Sequence, residues 1–155
     1  MARIDNRLLH GIVVTQWGPQ SKANRVMVIN DQVAADPLRK NIMLLAKPNG
    51  MTASIISLET ALKNIQANKY AGQKLFILAD EPRMFLELLK IGVEIPLLTI
   101  GATNLIGSGI KLSNRAYITE EEADIYRQIH KMGTRIEVQH VPSVNPVDLF
   151  SIISE

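Results

Sequence analysis

The chain has 155 residues, of which 46% are hydrophobic and 21% charged, which is typical of a globular protein and not of a disordered or collagen-like chain. It contains no cysteine, which excludes disulfides, thiolate metal sites and cysteine nucleophiles and leaves any chemistry to histidine, carboxylates, hydroxyls or the backbone. Its net charge is +2 and its charged residues are scattered along the chain, so no basic patch for nucleic acid stands out. No apolar run approaches the ~18 residues that are needed to cross a bilayer.

Strand-like and helix-like segments alternate along most of the chain. Asp36 and Pro37 have the residue types of a helix cap and first helical position, Asp80 is predicted to cap a later helix, and Thr119 with Glu122 forms a capping box. Short apolar runs predict strands over residues 26–29, 52–56, 74–79, 97–100, 111–118 and 135–141, and helices are predicted over 38–47, 58–68, 81–91 and 120–132 and from residue 145 onward.

This alternation predicts the fold class. Strands that are apolar on both faces and separated by single helices are typical of parallel sheets, which are covered by helices on both sides. We therefore expect one α/β domain over residues 1–155, a doubly wound, mostly parallel, open twisted sheet with one antiparallel edge strand. In such folds ligands bind beyond the carboxyl ends of the strands. That rule favours the loops at residues 3–11, 30–36, 80–82 and 101–109 as functional segments.

The first of these loops has the sequence RIDNRLLHG, residues 3–11. His10 precedes Gly11 at the mouth of an apolar helix, where unpaired backbone N–H groups favour anions and a neutral, nucleophilic imidazole. A phosphoryl group on His10 would meet the N–H groups of the first helical turn and the guanidinium of Arg7 or Arg3. Asp5 would hold an arginine in place or fix the tautomer of the ring. A histidine that only caps the helix is the alternative interpretation.

This segment, together with Val14 and Gln16-Trp17, resembles the phosphorylation motif of the IIB subunits of the mannose/fructose/sorbose family of the bacterial phosphoenolpyruvate-dependent sugar phosphotransferase system. The resemblance covers essentially the whole chain. It implies that His10, through Nδ1, accepts a phosphoryl group from a phosphohistidine on a IIA protein or domain and passes it to a sugar carried by the membrane subunits IIC and IID. The implied activity is that of a protein-N(pi)-phosphohistidine:sugar phosphotransferase, cytoplasmic and peripherally associated with the permease, without a cofactor.

The sequence departs from the family pattern in four places. Only two residues precede Arg3, so the first strand is either truncated or begins within the motif. Ile12 stands where the family commonly has glutamine, which removes one phosphate donor. Gly18-Pro19 is predicted to end or kink the first helix. The loop at 101–109 differs in sequence, which points to altered partner specificity. The form of the motif is similar to that of members that handle amino sugars, but the sequence fixes neither the sugar nor the oligomeric state, and homo-oligomers stay open.

Other polar residues have simpler interpretations. Asp31 follows a strand and either pairs with Arg7 or Arg3 or caps a turn. Lys111 is expected to be a solvated strand residue, with phosphate or partner docking as the alternative. His130 and His140 are expected to be structural, since no metal-ligand spacing surrounds them.

Two further function classes are alternatives to phosphoryl relay. A signalling receiver-like domain, phosphorylated on an aspartate, would need Asp31 and Asp80 to form an acidic Mg²⁺ cluster. An interaction module would carry no covalent phosphate at all. The absence of a G-x-x-x-x-G-K-[ST] segment makes a bound nucleotide unexpected.

Overall fold

The computed structural model describes residues 1–155 and contains a seven-stranded sheet with a separate two-stranded hairpin. The sheet has the order β3-β2-β4-β1-β5-β8-β9; its first six strands are parallel and β9 is antiparallel to β8. This confirms the predicted fold class. The strands are β1 (Ala2–Asp5), β2 (Arg25–Ile29), β3 (Thr52–Ile56), β4 (Leu75–Ala79), β5 (Leu97–Ala102), the hairpin strands β6 (Ile110–Lys111) and β7 (Tyr117–Ile118), β8 (Arg135–Val138) and β9 (Val147–Asp148).

Helices cover both faces of the sheet, and alternate side chains of each strand enter two apolar clusters. Met27 and Ile29 of β2 belong to the cluster beneath α5 and α6, whereas Val26 and Val28 belong to the cluster beneath the first helix. No helix is long and apolar enough to span a membrane. The helices are a π-helical segment Val13–Trp17, α1 (Gly18–Ser21), α2 (Asp31–Ala34), α3 (Pro37–Leu45), α4 (Leu58–Gln66), α5 (Pro82–Lys90), α6 (Glu120–Lys131) and a terminal 3₁₀ turn Leu149–Ser151.

Strand β1 lies in the middle of the sheet and carries the start of the polar motif. It pairs with β4 on one side and β5 on the other; it begins at Ala2, one residue before the motif, and its other three residues belong to the motif. The β1–β5 register shifts between Ile4 and Asp5, and the N–H of Asn6 then donates to the carbonyl of Ala102 at 3.0 Å. The irregularity fixes the direction in which the chain leaves the sheet.

Two predicted elements are wrong. Residues 111–118 form the short hairpin β6–β7, because the N–H groups of Leu112 and Ser113 both donate to the carbonyl of Ala116 and close a tight turn. The helix predicted from Asn145-Pro146 is absent. Residues 147–148 instead pair with the free edge of β8, and the carboxylate of Asp148 then caps the 3₁₀ turn by accepting from the N–H of Phe150 at 2.7 Å.

The predicted helix caps have mixed outcomes. The capping box of Thr119 and Glu122 is confirmed, and Asp36 caps α3. Asp80 does not cap α5, since its Oδ1 accepts from Nδ2 of Asn30 at 3.0 Å. The first helix does not end at Gly18-Pro19: the N–H of Gly18 donates to the carbonyl of Val13, so the helix widens to π geometry and continues to Ser21.

Candidate functional site

Arg3 is the most deeply buried cation of the site. Its side chain has no exposed surface, and its Nη2 lies 3.2 Å from Oδ2 of Asp5. Nη1 donates to the carbonyl of Gln139 and Nη2 to that of His140, both at 2.9 Å. The guanidinium also lies over the ring of Trp17, 4.4 Å from its centre. Burial lowers the pKa of Arg3 below its ordinary value, and the ion pair and hydrogen bond with Asp5 offset only part of that shift. Arginine nevertheless keeps its charge in proteins.

Trp17 and Gly101 complete the compartment around this guanidinium. Trp17 is buried and its Nε1 donates to the carbonyl of His140 at 2.9 Å, so this side chain anchors the first helix. A Cβ at Gly101 would overlap with Cζ and Nη2 of Arg3. Glycine therefore leaves, at the end of β5, the space that the buried cation occupies.

Asp5 connects the buried arginine to His10. Its Oδ1 accepts from Nε2 of His10 at 2.9 Å and from the backbone N–H of Arg7 at 3.2 Å, while its Oδ2 faces Arg3. A carboxylate that accepts from Nε2 favours the neutral tautomer with its proton on that nitrogen. Nδ1 has no hydrogen-bond partner within the chain, so its lone pair is free. Of the two roles expected for Asp5, the geometry supports both.

The loop between β1 and the first helix is anchored by two buried leucines. Leu8 adopts a left-handed backbone conformation with φ of 57° and donates its N–H to the carbonyl of Asp5 at 3.1 Å. This conformation is unfavourable for leucine, and the burial of Leu8 and Leu9 in the apolar cluster compensates for it. The loop delivers His10 to the start of the helix, where its carbonyl accepts from the N–H of Val14 at 2.8 Å.

The side chain of His10 is only partly exposed. Only 13% of its side chain is accessible, because the ring lies at the side of a cleft rather than at the tip of the loop, whereas Arg7 is exposed and makes no ion pair. The cleft has a volume of about 360 Å³. It is lined by Asp5, Asn6, Arg7, His10, Ile12, Ala102, Thr103, Ile106, Asn114, Arg115 and His140.

Sequence reasoning missed Arg115 and His140 as members of this cleft. Arg115 lies in the turn of the β6–β7 hairpin, which was predicted as a continuous strand, and recognition of that turn would have brought it to the sheet edge. His140 follows β8, the neighbour of β5. Burial lowers the pKa of His140, and the charges of Arg115 and Arg3 lower it further. The backbone carbonyl of His140 accepts from Arg3 and from Trp17, which is a structural role, as expected. The residue also lines the cleft.

Several other candidates lie elsewhere. The prediction that Asp31 pairs with Arg7 or Arg3 is wrong: Asp31 is in the first turn of α2, and its Oδ1 accepts from the N–H of Leu58 at 2.8 Å. Lys111 is exposed on β6 and does not line the cleft. His130 stacks on Phe150, with 4.4 Å between ring centres, in a structural role.

Asp31 and Asp80 are not brought together either. Asp31 lines a cavity beside Lys40 and Ser57, whereas Asp80 lines a different one beside Arg83. The acidic cluster that a receiver-like domain would require is therefore missing from this arrangement.

Comparison with known proteins gives matches that extend over nearly the whole chain. The family model described as the PTS system sorbose subfamily IIB component matches residues 1–155. The sorbose-specific EIIB component of Klebsiella pneumoniae is 31% identical over 151 residues, which are 96% of this chain and 92% of that protein. The crystal structure of the IIB domain of the Klebsiella pneumoniae sorbose permease superposes with a TM-score of 0.91 at 29% identity, covering 99% of this chain and 94% of that one.

A further relative is longer. The mannose-specific EIIAB component of Escherichia coli strain K12 is 29% identical over 158 residues, which cover 100% of this chain but 49% of that protein. The chain thus spans about half the length of that relative and nearly all of the sorbose relative. The chain belongs to the sorbose subfamily of PTS IIB components, within the mannose/fructose/sorbose family.

Proposed function

We propose that this chain is a phosphoryl carrier in which His10 accepts a phosphoryl group from a phosphorylated IIA protein or domain and passes it to a sugar at the membrane subunits IIC and IID. The observation that carries the proposal is the 2.9 Å contact between Nε2 of His10 and Oδ1 of Asp5. It holds the ring proton on Nε2 and leaves Nδ1 as the nucleophile. The mannose-specific relative, whose name joins IIA and IIB in one chain, supports a IIA donor.

In the first step the lone pair of Nδ1 attacks the phosphorus of the phosphohistidine on IIA. A new P–N bond forms on His10 as the P–N bond on IIA breaks, and the electron pair of that bond returns to the donor histidine. The proton of His10 stays on Nε2, where Asp5 stabilises the positive charge that the ring gains. Asp5 is itself held by Arg3, so the acceptor ring needs no reorientation during transfer.

The incoming phosphoryl group carries negative charge, and the chain supplies groups to receive it. Arg7 is exposed and lines the same cleft as His10. The backbone N–H groups of the first helical turn begin at Gly11, directly after His10. The second transfer releases the phosphoryl group from His10 to the sugar. The sugar hydroxyl forms an O–P bond as the P–N bond on His10 breaks, and the electron pair of that bond returns to Nδ1. The hydroxyl proton leaves to solvent on the side of the phosphorus opposite to His10, and the ring keeps its proton on Nε2.

The test is incubation with phosphorylated IIA, followed by intact-mass measurement and peptide mapping. We expect one phosphoryl group on His10, stable in alkali as a phosphohistidine is, and none in the His10→Ala variant. His130→Ala is the matched control, because this histidine lies outside the cleft, and it should be phosphorylated like the parent protein. Phosphate on a residue other than His10, or an alkali-labile acyl phosphate, would contradict the proposal.

The sugar is assigned by a second measurement. The phosphorylated protein is mixed with membranes that contain the cognate IIC and IID subunits and with sorbose, mannose, fructose or an amino sugar in turn. The cognate sugar is expected to remove the phosphoryl group from His10 and appear as the sugar phosphate. Retention of the phosphoryl group with every sugar would contradict the second transfer while leaving the first in place.

A further inference from the structure

The turn of the β6–β7 hairpin forms one wall of the His10 cleft, and hydrogen bonds hold its backbone in place. The carbonyl of Arg115 accepts from the N–H of Thr103 at 3.1 Å, and the N–H of Arg115 donates to Oγ of Ser113 at 3.1 Å. The hydroxyl of Thr103 donates to the carbonyl of Tyr117 at 2.7 Å and accepts from its N–H at 2.8 Å. Arg115 is therefore presented at the cleft by a turn that is tied to the end of β5.

The side chain of Arg115 is exposed and makes neither an ion pair nor a hydrogen bond within the chain, although it lines the same cleft as His10. The only carboxylate lining this cleft is that of Asp5, and both its oxygens already face partners, Arg3 and His10. Arg7 and Arg115 are thus two guanidinium groups without a counter-ion at one histidine. Such a cleft favours a dianion.

The charge of Arg115 also reaches the interior of the cleft. After burial, Arg115 is the largest influence that lowers the pKa of His140, which lines the same cleft. A cation that disfavours a second positive charge at His140 stabilises a negative charge at the same place by the same field.

We propose that Arg115 binds the phosphoryl group on His10, as a second guanidinium that acts together with Arg7. This inference rests on the proposed function and names a contact made by an element that lies outside the histidine motif. Arginine is suited to this role because its fork of N–H donors can hold two phosphoryl oxygens at once, whereas lysine offers a single point charge. The β6–β7 hairpin would then belong to the phosphoryl site and not only to the surface around it.

The test is a pH titration of the phosphorylated protein, followed by phosphorus NMR of the group on His10. A cation within contact distance lowers the pKa of the phosphoryl group, so Arg115→Ala is expected to raise it by about half a unit to one unit. Arg115→Lys keeps the charge without the fork and should give a smaller rise. Arg83→Ala is the matched control, since Arg83 is exposed at the same edge of the sheet but lines the neighbouring cleft, and it should leave the pKa unchanged.

The result separates this proposal from the one on which it rests. A protein phosphorylated on His10 whose phosphoryl pKa is the same in the parent and in Arg115→Ala would overturn the role of Arg115 alone. An equal rise in Arg83→Ala would overturn it too, because the effect would then come from net charge and not from contact. Absence of phosphate from His10 in the parent protein would overturn both. Because Arg115 is exposed, its substitution is expected to leave the urea midpoint unchanged, which shows that the variant is folded.

Discussion

Two clefts of nearly equal size open at the carboxyl edge of the sheet, and Thr103 lines both. The His10 cleft has about 360 Å³ and its neighbour, which we call the acidic cleft, about 350 Å³. The acidic cleft is lined by the carboxylates of Asp80, Glu81, Glu121 and Glu122, with Arg83 as its cation. The rule that places ligands at the carboxyl ends of parallel strands points to both clefts equally. Topology alone therefore does not decide which of them carries out chemistry.

The difference lies in what the charged groups of each cleft do. In the acidic cleft they mark the beginnings of helices: Glu81 is the N-cap residue of α5, and Glu121 and Glu122 lie in the first turn of α6, where carboxylates favour the helix. In the His10 cleft, Arg3 and Asp5 are buried and have no part in ending or starting a helix. Buried charges are costly unless they are paired. Their presence beneath one cleft and not the other identifies the cleft in which one side chain, that of His10, is held in a fixed orientation.

The largest expected effect is on folding. Arg3→Met removes the buried partner of Asp5 and should lower the free energy of unfolding by about 3–5 kcal/mol, as is typical when one member of a buried ion pair is lost. Arg83→Met in the acidic cleft removes an exposed cation and should change it by about 0.5 kcal/mol or less. Urea denaturation measures both. A loss of less than about 1 kcal/mol in Arg3→Met would mean that the pair beneath the His10 cleft does not stabilise the fold.

The second effect is on transfer. Asp5→Asn keeps the shape of the side chain, but its amide can donate to Nε2 of His10 and so favour the tautomer with the proton on Nδ1, which blocks the nucleophile. We expect the rate of phosphoryl transfer from IIA to fall on the order of 10²-fold or more. Glu81→Gln makes the same chemical change in the acidic cleft and should leave the rate unchanged. Equal rates in the parent and Asp5→Asn proteins would remove the tautomer from the mechanism.

The third effect concerns the space around the buried cation. A methyl group at Gly101 would overlap with the guanidinium of Arg3, so Gly101→Ala should destabilise the fold by about 1–3 kcal/mol and also slow transfer. Gly11→Ala is the matched control: no atom lies within 4 Å of the added Cβ, and the backbone N–H of residue 11 is retained. Urea denaturation and the transfer assay measure the two variants side by side. Unchanged stability in Gly101→Ala would show that Arg3 can leave its compartment without cost.

Much of the fold followed from the sequence because its signals are local. Apolar runs marked the central strands, and the capping box at Thr119 and the cap at Asp36 marked helix starts. The strand predicted over 111–118 is wrong because the N–H groups of Leu112 and Ser113 close a tight turn on the carbonyl of Ala116. The helix predicted from residue 145 onward is wrong because residues 147–148 pair with the free edge of β8, and this pairing overrides local preference.

The site was predictable where its members are close together in sequence. Asp5, Arg7 and His10 lie within six consecutive residues, at and just after the end of β1, and the motif contains all three. Asp31 was misplaced because neighbouring strands end at the same edge of the sheet, yet its carboxylate meets the N–H of Leu58 first. Arg115 and His140 could not be assigned, because only the register of β5 with β8 and the turn of the hairpin bring them to His10.

The smallest expected effect is a pH dependence of stability that comes from His140, which lines the His10 cleft and not the acidic cleft. Burial and the nearby arginines lower the pKa of His140 below its ordinary value of 6.5, so between the two values the unfolded chain binds more protons than the folded one. Stability from the neutral ring is therefore complete above pH 6.5 and is lost as the pH falls towards the folded pKa. His140→Asn should remove this part of the acid sensitivity, which urea denaturation across the acid range measures as a flatter profile.

The same titration tests whether the cationic cleft is the cause. Arg115→Ala should raise the pKa of His140, as followed by NMR of the ring, because it removes the charge that most strongly opposes protonation. Arg83→Met in the acidic cleft should not move it. If both substitutions shifted the pKa of His140 equally, the charges of both clefts would act on this ring at long range. The two clefts would then differ only in the buried pair of Arg3 and Asp5 beneath the His10 cleft.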